Sequence, residues 1–320
     1  MKKQMVRVAA VWMLVLCCMT TVFAKPKMLI PGGHTVGIKL YSQGLVVTGF
    51  DRRSAAKKAG LKKGDVIIAV DQEAVHTAAS LKERLDEKQV VLTVLRNGKE
   101  AQFCVEPEIT VDGGKLGAYI RNSMSGIGTV TYYDPDTGVF GALGHGVSDV
   151  DAEILLPLEA GVVVSSSVEE VEKGKGGAPG QLHGVFDVSQ IMGQVNRNTD
   201  RGIFGILDRP VPGAPLPLAD TEDIETGSAQ IYANVDGTAV CAYSVEIERI
   251  YPHAEETGRN MLLRITDPDL LRQTGGIVQG MSGSPIIQDG KLVGAVTHVL
   301  VNDPTRGYGI FIENMLDAAG

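Results

Sequence analysis

The sequence has few aromatic residues, few cysteines and no excess of basic residues. Aromatic side chains make up 5% of 320 residues that include 39 glycines, a composition that favours turn-rich β structure with room for two or three cores. The net charge of −8 argues against nucleic acid as a partner. A His-Glu-x-x-His motif is missing, so metal-dependent hydrolysis is not favoured, and we expect neither a metal nor another cofactor.

The cysteines give no sign of a metal site. Cys17 and Cys18 lie in an apolar run near the N-terminus, where they count as apolar filler. Cys104 and Cys241 are far apart and have no metal-ligand spacing around them. A disulfide between these two could form in an oxidising compartment, although no pattern in the sequence supports one.

The N-terminal residues 1–24 have the pattern of an export segment. Lys2, Lys3 and Arg7 form a positive start, the run 8–22 is apolar, and Val-Phe-Ala at residues 22–24 offers a cleavage site. The uncharged run from residue 8 to residue 24 is also at the lower limit of what can span a bilayer. We therefore predict export with either a removed signal peptide or a membrane anchor, followed by a linker at residues 25–34.

Residues 35–105 have the order of a compact unit of short strands and two helices. Two strands come first, then a helix near residues 54–61, a buried strand after Gly64, a helix near residues 80–86, and a strand pair joined by Asn97-Gly98. This order resembles the PDZ domains of bacterial extracytoplasmic proteases. The resemblance implies that Val36, Gly37 and Ile38 bind a peptide by strand addition. Equally, Gly37 could be a turn glycine, because such units often pack on their own protease domain.

A serine between glycines is the most informative local pattern in the chain. The hexapeptide Gly-Met-Ser-Gly-Ser-Pro at residues 280–285 lies between two apolar runs. Glycines allow a tight turn in which backbone N–H groups point to the same place as the serine hydroxyl, as acyl transfer requires. Ser282 is therefore a candidate nucleophile, although an ordinary turn between strands has the same composition.

A histidine at the end of an apolar strand is the best candidate for a general base. His145 is flanked by Gly144 and Gly146, so small neighbours expose its ring. The order of histidine before serine is that of chymotrypsin-like enzymes, in which an imidazole takes the serine proton. A third group has to orient the ring, and spacing does not choose among the candidate carboxylates, which are Asp149, Asp151, Asp187, Asp200, Asp208, Asp267 and Asp269.

Six segments in the second part of the chain together form a distinctive set of motifs. They are 141–146 (Gly-Ala-Leu-Gly-His-Gly), 263–267 (Leu-Arg-Ile-Thr-Asp), 275–285 (Gly-Gly-Ile-Val-Gln-Gly-Met-Ser-Gly-Ser-Pro), 294–299, 302–305 and 307–309. These segments resemble the stage IV sporulation protein B peptidases of endospore-forming Firmicutes. The resemblance implies that His145, Asp267 and Ser282 form the catalytic triad, with the backbone N–H groups of Gly280 and Ser282 as the oxyanion hole.

We therefore expect a mainly β chain in which the PDZ domain precedes a chymotrypsin-like double β-barrel at residues 106–320. The resemblance implies a serine endopeptidase exported from the forespore into the space between two membranes. Such an enzyme cleaves itself near its N-terminus and cuts a membrane-bound sporulation protein, which triggers activation of a mother-cell sigma factor. Its partners would be protein substrates and either a peptide ligand of the PDZ domain or its own N-terminal segment. An envelope quality-control protease and an inactive PDZ scaffold are the alternatives.

Two further features concern the edges of the expected cleft. Residues 173–180 contain four glycines and are predicted to be an exposed connection at the cleft or a proteolysis site. Thr297 and His298 lie on a strand expected beside the substrate, and strand alternation allows only one of the two side chains to face the cleft.

Overall fold

A computed structural model of the chain describes residues 27–254 and 257–320. The predicted export segment at residues 1–24 lies outside these ranges. Over the described ranges, no helix has both the length and the apolar character needed to cross a membrane.

Strands dominate the described residues, and four short helices accompany them. In chain order the strands are β1 (Met28–Pro31), β2 (Thr35–Phe50), β3 (Val66–Val70), β4 (Glu73–Ala74), β5 (Val90–Arg96), β6 (Lys99–Val105), β7 (Glu108–Thr110), β8 (Gly113–Lys115), β9 (Ala118–Tyr133), β10 (Val139–Ala142), β11 (Ser148–Asp149), β12 (Ile154–Leu155), β13 (Leu158–Glu172), β14 (Gln181–Thr199), β15 (Gly202–Leu207), β16 (Leu216–Pro217), β17 (Gly227–Ala233), β18 (Cys241–Ile250), β19 (Met261–Ile265), β20 (Pro285–Gln288), β21 (Lys291–Leu300) and β22 (Asp303–Phe311). The α-helices are α1 (Ala55–Lys58), α2 (Ala78–Lys82), α3 (Pro268–Thr274) and α4 (Ile312–Ala319), and a 3₁₀ turn covers Thr221–Asp223.

Six strands close into a first barrel in the order β2, β9, β10, β15, β14, β13. The barrel closes because β2 pairs with β9 on one side and with β13 on the other. Successive side chains of each strand point alternately into and out of the barrel. On β2, for example, Ile38 and Leu40 lie in the core, whereas Lys39 and Tyr41 are exposed.

A second barrel closes in the order β17, β18, β19, β22, β21, β20. Its interior is filled by aliphatic and aromatic side chains, including Ile231, Ile247, Leu263 and Phe311. Two six-stranded barrels after a smaller N-terminal unit confirm the prediction of a mainly β chain with a PDZ domain and a chymotrypsin-like double barrel.

The N-terminal unit has its own core but shares two strands with the first barrel. Its core contains Leu45, Leu81 and Leu92. These side chains are surrounded by strands β3 to β6, helices α1 and α2, and the second half of β2. The start of β9 then pairs with the second half of β2. Strands β2 and β9 therefore run through both units. The domain bounds 35–105 and 106–320 stay a prediction. The predicted linker is also partly a strand, since β1 pairs with β9 and β16.

The two helices and the hairpin turn that the sequence predicts for this unit are present in the structure. Ser54 caps α1, because its side chain accepts a hydrogen bond from Lys57 N–H at 3.0 Å. Asn97 and Gly98 both have positive φ (53° and 73°), as the tight turn between β5 and β6 requires. The second helix is shorter than predicted and begins two residues earlier, at Ala78.

The predicted peptide-binding residues Val36, Gly37 and Ile38 lie in the middle of β2, inside the first barrel. They pair with β9 on one side and β13 on the other, so their backbone N–H and C=O groups are already used. Strand addition requires a free edge, and this segment has none. The assignment of peptide binding to these three residues is therefore corrected: they close the barrel.

The two cysteines outside the leader lie at separate places in the fold. Cys104 is on β6 of the N-terminal unit, and Cys241 begins β18 of the second barrel. Both are exposed and unpaired within the ranges that the structure covers. The disulfide that an oxidising compartment would allow is not formed.

Candidate active site

A cavity of about 600 Å³ lies between the two barrels, and two of the three predicted catalytic residues, His145 and Ser282, line it. His145 comes from the first barrel, immediately after β10, and Ser282 comes from the loop before β20 of the second. His298 and Asp200 also line this cavity. Most of the remaining wall is apolar and is supplied chiefly by Ile38, Met124, Ile127, Leu143 and Leu155.

The turn before His145 is fitted closely to the second barrel. Leu143 and Gly144 both have positive φ (71° and 68°). A Cβ atom on Gly144 would lie 2.9 Å from a methyl group of Thr297, so a larger residue has no room there. This close approach of backbone to barrel explains why the sequence has a glycine directly before the histidine.

The ring of His145 is held in the tautomer that a general base needs. Its Nδ1 lies 2.9 Å from the carbonyl oxygen of Gly146. A carbonyl can only accept, so Nδ1 carries the hydrogen and Nε2 keeps its lone pair. Burial lowers the pKa of His145 below the ordinary value of 6.5, and the Gly146 hydrogen bond raises it by less. The imidazole is therefore neutral at neutral pH.

Ser282 is held in a resting orientation. Its Oγ donates a hydrogen bond of 2.7 Å to the backbone carbonyl of Thr297. Glycines with φ of 102° and 98°, Gly280 and Gly283, allow the tight turn on either side of it. The hydroxyl must leave the Thr297 carbonyl before it can donate to His145. Hydrogen bonds between catalytic groups often form fully only when the substrate binds.

The loop around Ser282 leaves two backbone donors available. The N–H groups of Met281, Gly283 and Ser284 donate to backbone carbonyls within hydrogen-bonding distance. In the described part of the chain, no protein acceptor faces the N–H of Gly280 or of Ser282. These are the two groups predicted to form the oxyanion hole, and that role stays a prediction.

Asp267 is placed outside the cavity, at the N-terminus of α3. One carboxylate oxygen accepts from Asp269 N–H and Leu270 N–H, each at 3.0 Å, and the other accepts from Ser244 N–H at 3.2 Å. Desolvation raises the pKa of Asp267, but these hydrogen bonds and the charge of Arg272 lower it overall. The structure thus gives Asp267 a capping function and no contact with His145. Its role as third catalytic residue stays a prediction.

The remaining candidate carboxylates differ in the partners that their side chains bind. Asp149 is fully buried and binds Arg121, which also binds Asp151. Asp187 accepts hydrogen bonds from Ser189 and Gln190 on its own strand, β14, and Asp269 forms an ion pair with Arg272. Asp200, in the turn between β14 and β15, is the candidate that lines the cavity with His145 and Ser282.

Substitution of Asp267 separates its capping role from a catalytic one. We expect Asp267→Ala to lower the free energy of unfolding by about 1 kcal/mol, whereas Asp267→Asn keeps most of the cap. Because the folded pKa is lowered, the carboxylate stabilises the fold above its ordinary pKa of 3.8, and this contribution disappears as the pH falls through the folded value. Chemical denaturation of the three proteins between pH 2 and pH 7 measures both effects.

The activity of the same variants addresses catalysis. In serine proteases with this chemistry, replacing the triad aspartate by asparagine lowers turnover by about 10⁴-fold. A fully folded Asp267→Asn with such a loss would show that the carboxylate leaves the cap and reaches His145 in the working enzyme. Equal stability of Asp267→Ala and wild type would contradict the capping role.

His298 faces the cavity from β21, and its ring centroid lies 5.0 Å from that of His145. Thr297 points the other way and donates to the Tyr308 carbonyl, as strand alternation predicts. Partial burial lowers the pKa of His298 to about 4, with smaller contributions from His145 and Arg259. His298 is therefore uncharged at neutral pH.

The glycine-rich residues 173–180 connect β13 to β14, and their last residue contacts the loop that leads to Ser282. Gln279 N–H donates to the Gly180 carbonyl, and Leu182 N–H donates to the Gln279 carbonyl, both at 2.8 Å. The sequence identifies this segment as an exposed connection but gives no signal for its contact with the second barrel. That contact depends on where the long β13–β14 hairpin ends.

Two family models together match most of this chain. The family model described as SpoIVB peptidase S55 matches residues 113–316, and a PDZ domain model matches residues 33–106. No curated protein is similar enough in sequence to count as a match.

Two solved structures are similar to this chain at low identity. A crystal structure of the inactive form of the Rv3671c protease is 15% identical, covers 60% of this chain and 82% of its own, and has a TM-score of 0.35. A serine-to-alanine mutant of Rv3671c from M. tuberculosis H37Rv, also in the inactive form, is 14% identical, covers 60% and 79%, and has a TM-score of 0.33.

Proposed function

The chain belongs to the SpoIVB peptidase S55 family and is a serine endopeptidase, and we propose that it acts as a regulated, exported enzyme of sporulation. In this proposal it cleaves itself near its N-terminus and cuts a membrane-bound signalling protein, which leads to activation of a mother-cell sigma factor. The resemblance of its motifs supports that role, and the basic and apolar N-terminus supports export.

The observation that carries the catalytic proposal is the meeting of His145 and Ser282 in one cavity. In the proposed reaction, Nε2 of His145 takes the Ser282 proton as Oγ attacks the peptide carbonyl carbon. The N–H groups of Gly280 and Ser282 stabilise the oxyanion that forms on the carbonyl oxygen. His145 then gives the proton to the leaving amine, and water releases the acyl group from Ser282 in the reverse sequence.

The resting orientation of Ser282 supports regulation. Its hydroxyl is bonded to the Thr297 carbonyl, so the serine is not yet bonded to its base. A substrate segment that enters beside β21 can compete for backbone groups of that strand and release the hydroxyl. We therefore propose that engagement of the substrate, rather than folding alone, completes the catalytic arrangement.

Covalent labelling tests the catalytic proposal on the purified full-length chain. A fluorophosphonate probe should add one label, and peptide mapping should place it on Ser282. Ser284→Ala is the matched control, because Ser284 lies in the same motif and its buried hydroxyl has no partner in the described part of the chain. Ser284→Ala should be labelled and Ser282→Ala should not. A folded wild-type chain that stays unlabelled, even with peptide present, would contradict the proposal.

The proposed biological role has its own test. In an endospore-forming host without its own copy of the enzyme, the wild-type chain should switch on a reporter driven by the mother-cell sigma factor, and Ser282→Ala should not. Equal reporter activity with both proteins would show that the chain supports sporulation without catalysis, which contradicts the proposed cleavage of the signalling protein.

A further inference from the structure

Thr129 is a buried residue of the first barrel that contacts the loop carrying Ser282. It lies on β9, and only 1% of its surface is exposed. Its side-chain Oγ1 donates to the Gly280 carbonyl at 2.7 Å, across 151 positions of sequence. Its backbone N–H donates to the Ser282 carbonyl at 3.0 Å. One residue of the first barrel therefore binds the carbonyls of both predicted oxyanion-hole residues.

The same residue also contacts the turn that carries His145. The carbonyl oxygen of Thr129 accepts a hydrogen bond from Leu143 N–H at 3.2 Å. Gly283 packs directly against this point, since a Cβ atom there would lie 2.1 Å from the Thr129 oxygen and 2.6 Å from Leu143 N. Thr129 thus joins the two segments that bring the base and the nucleophile into one cavity.

Binding these carbonyls has a consequence for the free donors of the loop. A peptide unit is planar, so a fixed carbonyl restricts how the adjoining units can rotate. The Gly280 and Ser282 carbonyls both point toward Thr129. Their hydrogen bonds to Thr129 therefore oppose any rotation of the loop that would redirect the Gly280 and Ser282 N–H groups. The contacts that Gly180 and Leu182 make with Gln279 hold the loop on its other side, but those are backbone bonds.

We propose that Thr129 is a positioning residue that holds the oxyanion-hole loop across the interface of the two barrels. This inference rests on the proposed function, because the loop matters only if Ser282 performs acyl transfer. The hydroxyl of Thr129 does not touch the substrate. Its loss leaves the buried Gly280 carbonyl without its donor, which favours other loop conformations in which the oxyanion is less well bound.

Thr129→Val tests the proposal, because valine has the shape of threonine without the hydroxyl. We expect kcat for a peptide substrate to fall about 10- to 100-fold, up to the loss seen when one oxyanion donor is removed, while KM changes less than about threefold. Thr129→Ser keeps the hydroxyl and should retain kcat within about threefold. A peptidyl boronate, which forms a tetrahedral adduct, should lose affinity for Thr129→Val in proportion to kcat, whereas a product peptide should not.

Thr131→Val is the matched control for a general effect of burial. Thr131 lies on the same strand, is also fully buried, and its Oγ1 has no partner among the described residues. We expect Thr131→Val to keep wild-type kcat. If Thr129→Val does not fold, Thr129→Cys, with its weaker donor, should give an intermediate loss of kcat.

The outcomes that oppose this inference differ from those that oppose the proposed function. Wild-type kcat in folded Thr129→Val, failure of Thr129→Ser to restore kcat, or an equal loss in Thr131→Val would overturn the positioning role. In each of those cases the wild-type chain still hydrolyses the peptide and still takes the fluorophosphonate label. A wild-type chain without either property would instead overturn the proposed function.

Discussion

Replacement of Ser282 by alanine is expected to lower kcat for a peptide substrate by about 10⁴- to 10⁶-fold. The range follows from enzymes of this chemistry, in which removal of the nucleophile costs about as much as removal of the whole catalytic unit. Alanine removes only the hydroxyl that donates to the Thr297 carbonyl, and Ser282 lies in a turn fixed by its glycines. The fold should therefore persist. Turnover of a quenched fluorescent peptide, with thermal unfolding alongside, measures both properties.

Ser284→Ala provides the comparison for this variant. Ser284 is 0% exposed, and its Oγ is unpartnered in the part of the chain described by the structure, so replacing it removes no hydrogen bond. We expect turnover within about threefold of wild type and stability that is unchanged or slightly higher. A Ser282→Ala enzyme that kept more than a hundredth of wild-type turnover would show that another group is the nucleophile.

Replacement of His145 by glutamine should have an effect of similar size, because the base and the nucleophile act as one unit. Glutamine cannot take the Ser282 proton at neutral pH. The wild-type pH profile provides a second measurement of the same residue. The pKa of His145 is lowered, so the neutral, active form persists below pH 6.5. As the pH decreases, kcat/KM should therefore fall through a pKa below 6.5.

His76→Gln is the control for this measurement. His76 lies in the N-terminal unit, is largely exposed, and its nearest charged partner is Glu159 at 3.5 Å. We expect its substitution to leave both turnover and the acid limb of the pH profile unchanged. An acid limb at or above pH 6.5 in the wild type, or a shift of that limb in His76→Gln, would contradict the assignment of His145 as the base.

The two main catalytic candidates could be predicted because their signals are local. Ser282 and His145 each lie between glycines at the end of an apolar run, and the backbone freedom of glycine affects only the neighbouring residues. The chain order then linked the two. Asp200 and Thr129 have no such local pattern. Asp200 is one of many carboxylates in turns, and Thr129 is one residue of a long strand.

The predicted role of Val36, Gly37 and Ile38 failed for a related reason. The sequence predicts two strands within residues 35–50, and the structure joins them into one continuous strand, β2. A strand pattern of this kind fits the edge of a PDZ domain and the middle of a barrel equally well. Which strands lie on either side is a property of the sheet, and β9 and β13 come from residues that are more than 80 positions away in the chain.

The sequence by itself determined the strand-rich class, the turns and the candidates for acyl-transfer chemistry, because these depend on backbone preferences over a few neighbouring positions. Only the tertiary structure decided which strands pair with β2, that the Ser282 hydroxyl donates to the Thr297 carbonyl, and that Thr129 binds the loop. Each of these depends on a hydrogen-bond partner chosen when the barrels close. Closure fixes strand register and brings together groups such as Thr129 and Gly280, which are 151 positions apart in the chain, a distance over which local preference carries no information.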